Sequence, residues 1–109
     1  MVILWCTFME HETIQVKIKL YAFLREILGK REITIALKPN SSPLDAILKL
    51  DELTNGKISE IILEDKRRLK ENYVILVNGR KVDHSRIDSL NLEQGDEVVI
   101  FPPTSGGLL

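Results

Sequence analysis

Ile14, Val16, Ile18 and Leu20 alternate with Gln15, Lys17 and Lys19. A period of two places the four apolar side chains on one side of an extended chain, which predicts a half-buried strand over residues 14 to 20. Phe23, Leu24, Ile27 and Leu28 then recur at helical spacing, and Gly29 suits the left-handed position that closes a short helix. From Glu32 to Leu37 the alternation returns, with Ile33, Ile35 and Leu37 on one face. A second strand is expected there.

Ser42-Pro43-Leu44-Asp45 reads as a helix start. Ser42 can cap, Pro43 fits the first turn, and Asp45 stands where a capping box places its acid. Leu44, Ile47 and Leu48 form the expected inward stripe, and Asn55-Gly56 ends the helix. Ile58, Ile61 and Ile62 suggest a further short helical piece. Tyr73 to Val77 is a β-branched and aromatic run closing on Asn78-Gly79, a pair that favours a type I′ turn because both central positions need positive φ. Arg80, Lys81 and Val82 would return from it. Gly95-Asp96 offers another turn before a last strand, Glu97 to Phe101. Pro102-Pro103 stops that ladder, since proline has no N–H to donate. Strand, short helix, strand, helix, strand-turn-strand and last strand make an α+β protein with a mixed sheet packed on one principal helix.

Composition narrows what such a fold could do. At 109 residues the chain fits one domain, and 44% hydrophobic with 28% charged residues supplies both a core and solubility. The net charge of -1 gives no bulk field for nucleic acid or an anionic membrane. Cys6 stands alone, so no disulfide or CxxC pair exists and a reducing, cytoplasmic setting is expected. His11 and His84 lie far apart and read as surface histidines, not as a zinc site. Lys66, Arg67, Arg68 and Lys70 form a basic cluster, but Glu64, Asp65 and Glu71 flank it and no aromatic series accompanies it. A solvated helix end or loop is the expected form.

Residues 1 to 13 read as an extension. The apolar run Met1 to Met9 has no Lys or Arg before it and is too short to span a bilayer or serve as a signal peptide. It is either an added strand or arm, or the product of a misplaced start; because the regular pattern begins only at Ile14, a true start at Met9 is preferred. The domain proper is expected over 14 to 103, and 104 to 109 form a flexible tail. In Thr104-Ser105-Gly106-Gly107-Leu108-Leu109 nothing can pack into a core. Two glycines minimise bulk, so such an end can thread a channel too narrow for a Cβ and present a carboxylate to a distant active site. No Ser/His/Asp or Cys/His constellation and no Walker-type loop appears.

Three stretches resemble the small subunit of molybdopterin synthase: Leu20 to Lys30 (LYAFLREILGK), Val74 to Arg80 (VILVNGR) and Leu92 to Gly107 (LEQGDEVVIFPPTSGG). The likeness covers about residues 14 to 107. Thiamine-pathway sulfur carriers share the fold and the Gly-Gly end, but they are usually shorter and lack the Leu-Arg-Glu helix and the Phe-Pro-Pro approach. The resemblance implies a β-grasp, ubiquitin-like fold and a carrier role without catalysis by the chain itself. An E1-like adenylyltransferase would join the carboxylate of Gly107 to AMP at the expense of ATP, and a sulfur donor would convert it to a thiocarboxylate. The molybdopterin synthase large subunit would then accept the sulfur for the molybdenum or tungsten cofactor. Gly106 gives the slender approach, while Phe101, Pro102 and Pro103 aim the tail and border the docking face. The chain itself is expected to bind no cofactor.

One departure matters chemically. Leu108 and Leu109 follow the Gly-Gly pair, and the adenylated group must be the terminal carboxylate. A processing protease is therefore expected to remove both leucines. The same tail also fits a ubiquitin-like protein modifier, or a sulfur donor for tRNA thiolation.

Overall fold

The computed structural model describes residues 13–65 and 67–103. Residues 1–12 of the extension, with Cys6 and His11, and the tail with Gly106 and Gly107 lie outside the described residues. Five strands form one sheet: β1 (Ile14–Leu20), β2 (Glu32–Leu37), β5 (Val74–Val77), β6 (Arg80–Lys81) and β7 (Glu97–Phe101). Their order across the sheet is β2-β1-β7-β5-β6. β1 and β7 run parallel, with Lys17 opposite Glu97 and Leu20 opposite Ile100, while the other neighbours are antiparallel. Thus the first and last strands lie side by side at the centre of a mixed sheet, in the β-grasp arrangement that the resemblance implies.

Each element follows from local chemistry. α1 (Phe23–Leu28) ends at Gly29, whose φ of 81° is the left-handed closure expected there. α2 (Pro43–Thr54) begins at a full capping box: the Asp45 N–H donates to Ser42 Oγ at 3.2 Å and the Ser42 N–H to Asp45 Oδ2 at 2.9 Å. Two of the orphan donors of a helix start are thereby satisfied. α3 (Lys57–Ile62) supplies the further helical piece. At the β5–β6 turn Asn78 has φ 52° and Gly79 φ 83°, both positive as a type I′ turn demands.

The core lies between the helices and one face of the sheet. Val16, Ile18, Ile75, Val98 and Ile100 from the strands meet Leu24, Ile47, Leu50, Ile58 and Ile62 from the helices, all effectively inaccessible to solvent. Two sequence expectations change. On α2, Leu48 is exposed and Leu44 only half-buried; the inward face is Pro43, Ala46, Ile47, Leu50 and Thr54. Of the basic cluster, Lys66 lies outside the described residues, Arg67 sits in an exposed turn as expected, and Arg68 belongs to a strand. β3 (Leu63–Glu64) and β4 (Arg68–Leu69) pair as a small separate hairpin with Leu63 opposite Leu69. Both leucines are buried, so burial of this apolar pair organises a segment whose charged residues Glu64, Arg67 and Arg68 stay exposed.

Candidate functional site

Side chains on a strand alternate faces, so with Val98 and Ile100 in the core, Glu97, Val99 and Phe101 point to the outer face. Register then decides their neighbours. Val99 lies between Lys19 of β1 and Leu76 of β5, and Phe101 lies opposite Val74. The outer face near the end of β7 therefore carries Val74, Leu76, Val99 and Phe101 as an apolar strip. Val99 is buried although it lies off the main core.

Tyr21 completes the strip. Its ring stacks on Phe101 with centroids 4.6 Å apart and planes 26° from parallel, a geometry within the favourable range for aromatic pairs. Tyr21 nevertheless remains 38% exposed and the neighbouring Phe23 42% exposed. The Arg25 guanidinium lies 6.0 Å from the Tyr21 centroid, at the outer limit of a cation–π contact. Its Nε is buried and has no hydrogen-bond partner within the described residues. Lys19, Arg25 and Arg31 line a recess of about 340 Å³ beside Tyr21. Glu32 lines the same recess, so a carboxylate stands among its cations.

Lys19 is also tied to β7. Its Nζ stands 3.1 Å from Glu97 Oε2, and this hydrogen bond and charge raise the ammonium pKa above its usual 10.5. Lys17 makes a looser pair with Glu32 at 3.7 Å. Both pairs bridge strands on the outer face and are partly solvated, so their contribution is small.

Of the residues singled out from sequence, Phe101, Pro102 and Pro103 are described here. Phe101 is half-buried at the end of β7, Pro102 is buried and Pro103 is exposed. The ladder stops where the N–H donors stop, and the chain leaves the sheet at an anchored proline. Tyr21 was missed as a member of this site. Its signal was present, since it continues the outward phase of Lys17 and Lys19, but only the parallel β1–β7 pairing brings that phase beside Phe101. His84 is half-buried and its Nε2 lies 2.7 Å from the Tyr73 carbonyl oxygen, fixing the short turn after β6 to the start of β5. Among the described residues no three His, Cys, Asp or Glu side chains converge as metal ligands, and no helix is long and apolar enough to cross a membrane.

Residues 18–107 match the model of the ThiS family. The small archaeal modifier protein 3 of Haloferax volcanii is 27% identical over 93 residues, which span 85% of this chain and 99% of that protein. The solution structure of small archaeal modifier protein 1 from Methanosarcina acetivorans superposes with a TM-score of 0.72 at 30% identity, covering 87% of this chain and 98% of that one. A molybdopterin converting factor subunit 1 from Pyrococcus furiosus gives 0.66 at 28% identity, covering 83% and 98%.

Proposed function

The chain belongs to the ThiS family, and on that premise we propose that it is a sulfur carrier whose working group is the carboxylate of Gly107, acting in the cytoplasm in the manner of a molybdopterin synthase small subunit. The observation that carries this reading is the family match itself, which runs through the buried Pro102 and continues to Gly107. The likeness to a molybdopterin converting factor subunit supports the choice of pathway.

The chemistry is that of a co-substrate. A carboxylate is a poor electrophile, so an E1-like adenylyltransferase first transfers AMP from ATP to it, releasing pyrophosphate. A sulfur donor then displaces AMP and leaves a terminal thiocarboxylate. The molybdopterin synthase large subunit takes that sulfur onto the pterin precursor, and the carboxylate is regenerated. Gly106 keeps the approach free of side chains. Phe101, stacked on Tyr21, and the buried Pro102 hold the point from which the tail departs, and the apolar strip around them docks each partner in turn. The match ends one residue before Leu108. This supports removal of Leu108 and Leu109 by a protease before activation.

Intact mass of the protein isolated from its own host tests the scheme. The expected species lacks two leucines, and a fraction of it carries sulfur in place of one oxygen. A population that keeps both leucines under all growth conditions overturns it.

A second reading has its own support, because the relatives just named include two small archaeal modifier proteins. The same adenylate could be passed to lysine amines of other proteins. Isopeptide-linked adducts ending in Gly107 favour the modifier; co-purification of a large synthase subunit favours the sulfur carrier.

A further inference from the structure

Among the described residues the sheet has two edges, β6 on one side and β2 on the other. They differ in kind. β6 is only Arg80 and Lys81, both exposed cations, and an edge so short and so charged resists pairing with another chain. β2 runs for six residues, Glu32–Leu37, in unbroken register with β1. Between Glu32 and Lys38 it carries Ile33, Thr34, Ile35, Ala36 and Leu37, with no charge, proline or glycine. Nothing in that run blunts the edge.

The phase of the ladder tells which main-chain groups are free. The Leu20 N–H donates to the Arg31 carbonyl at 3.1 Å, so in this register Ile33, Ile35 and Leu37 bond to β1. Glu32, Thr34 and Ala36 turn their N–H and C=O the other way, along the open edge. Ile33, Ile35 and Leu37 share the core face, and Ile33 is only half-buried there. Glu32, Thr34 and Ala36 share the outer face and are all exposed. Lys38, next in that alternation, is exposed and has no ion pair among the described residues.

We propose that β2 pairs with β2 of a second copy of this chain, antiparallel about a two-fold axis at Ile35. Thr34 of each copy then lies opposite Ala36 of the other, and their outward N–H and C=O groups bond across the edge. On the core face Ile35 meets its own counterpart and Ile33 meets Leu37. On the outer face Glu32 comes beside Lys38 of the second copy, twice by symmetry. An axis at Thr34 sets Glu32 opposite Ala36, and one at Ala36 sets Lys38 opposite Thr34; either shift loses both charge pairs. Glu32 is held loosely by Lys17, at 3.7 Å, and Lys19 is taken up by Glu97 at 3.1 Å. Both lysines stand two strand spacings, about 10 Å, from Lys38 of the second copy, far enough for salt to screen them. Six residues span about 20 Å, less contact than a permanent dimer has, so the pairing is weak and reversible. β7 lies two strands in from this edge, and the two-fold axis reverses strand direction. The strips at Tyr21 and Phe101 therefore sit at opposite ends of the joined sheet, both uncovered, and one pair presents two tails.

The test dilutes the isotope-labelled 109-residue chain from about 1 mM to about 0.05 mM and follows amide chemical shifts. Concentration-dependent shifts are expected at residues 32–38, and a mixture of labelled and unlabelled chains should show Ile33 methyl groups against Leu37 methyl groups of the other copy. Thr34→Pro removes an N–H that β1 does not use, a change an edge strand tolerates, and should weaken self-association about tenfold. Glu32→Lys and Lys38→Glu, both at exposed positions, each bring like charges together and should each weaken it about fivefold. An equimolar mixture of those two variants restores opposite charges at both contacts and should associate as the parent chain does. That mixture decides the matter even where the proline variant fails to fold. Shifts independent of concentration, shifts centred on Tyr21 and Phe101, or a mixture no stronger than its components would overturn the proposal. Contacts from residues 1–12 to Thr34 and Ala36 at every dilution would give the edge to the chain's own extension and overturn it as well.

Discussion

At its first residue β7 is held by hydrogen bonds, and at its last by aromatic contact. The Asn78 N–H donates to the Glu97 carbonyl at 2.8 Å, the Glu97 N–H to Asn78 Oδ1 at 2.9 Å, and Asn78 Nδ2 to Asp96 Oδ1 at 2.9 Å. Gln94 Oε1 receives the Gln15 N–H at 2.9 Å, closing the same end onto β1. These bonds are directional and leave little freedom of angle. Around Phe101 the contacts are apolar and stacked, with Tyr21 and Phe23 partly open to solvent. Stacking tolerates sliding and surface burial rewards further covering. One end fixes the strand; the other keeps a surface that gains by being covered by a partner.

Removing what the two ends share should have the largest effect. Ile100 on the core face of β7 is fully buried, and Ile100→Ala should cost about 3 kcal/mol in urea unfolding through lost transfer energy and an unfilled cavity. The hydrogen-bonded end comes next. Asn78→Ala loses the side-chain bonds and places a Cβ residue at φ 52° without a polar group to favour it, for about 2 kcal/mol. Asn78→Gly keeps the turn and loses only the bonds, so about 1 kcal/mol is expected. Equal losses in the two variants would show that backbone conformation contributes nothing there.

The aromatic end should behave in the opposite way. A double-mutant cycle of Tyr21→Ala and Phe101→Ala should give a coupling of about 1 kcal/mol for stability. Each single change should weaken association with an adenylyltransferase partner much more than it lowers stability, as measured by calorimetric titration. If stability falls while partner affinity holds, the strip is structural. The smallest effect concerns the ion pair. Lys19 has its pKa raised by Glu97, so the stability from that pair is present below lysine's unfolded value and is lost as pH rises through the folded one. The difference between the parent chain and Glu97→Gln in urea melts should hold steady through neutral pH and shrink above about 10.5. Tyr73, whose hydroxyl pKa burial raises, shifts in the same alkaline direction and stays constant across that comparison.

The hydrogen-bonded end was the more legible in sequence, for a physical reason. The type I′ turn at Asn78-Gly79 is decided within four residues, as are the capping box at Ser42 and the left-handed stop at Gly29 elsewhere in the chain. The alternation in β1 and β2 likewise named its buried face. What escaped was decided across the chain. Tyr21 meets Phe101 only because β1 and β7 lie parallel at the sheet centre, a pairing of distant segments that no local pattern encodes. On α2 the leucines at 44, 48, 50 and 53 point to several sides of the helix, so counting large apolar residues misplaced the stripe. The small Ala46 and the hydroxyl-bearing Thr54 hold the inward positions instead, Thr54 turning its Oγ1 to the Leu50 carbonyl at 3.1 Å. The β3–β4 hairpin needed the contact of Leu63 with Leu69, which charge counting in between concealed.

Pro102 sets a distance as well as a direction. It is buried at the point where β7 stops pairing, so the number of residues beyond it bounds how far the terminus can lie from the sheet. A fully extended chain advances about 3.3 to 3.6 Å per residue, which places Gly107 at most about 18 Å from Pro102. Two more residues would carry the terminus about 7 Å beyond that mark. On the proposed scheme a partner's reactive centre lies at a depth matched to the shorter length, and trimming becomes a matter of gauge as much as of chemistry.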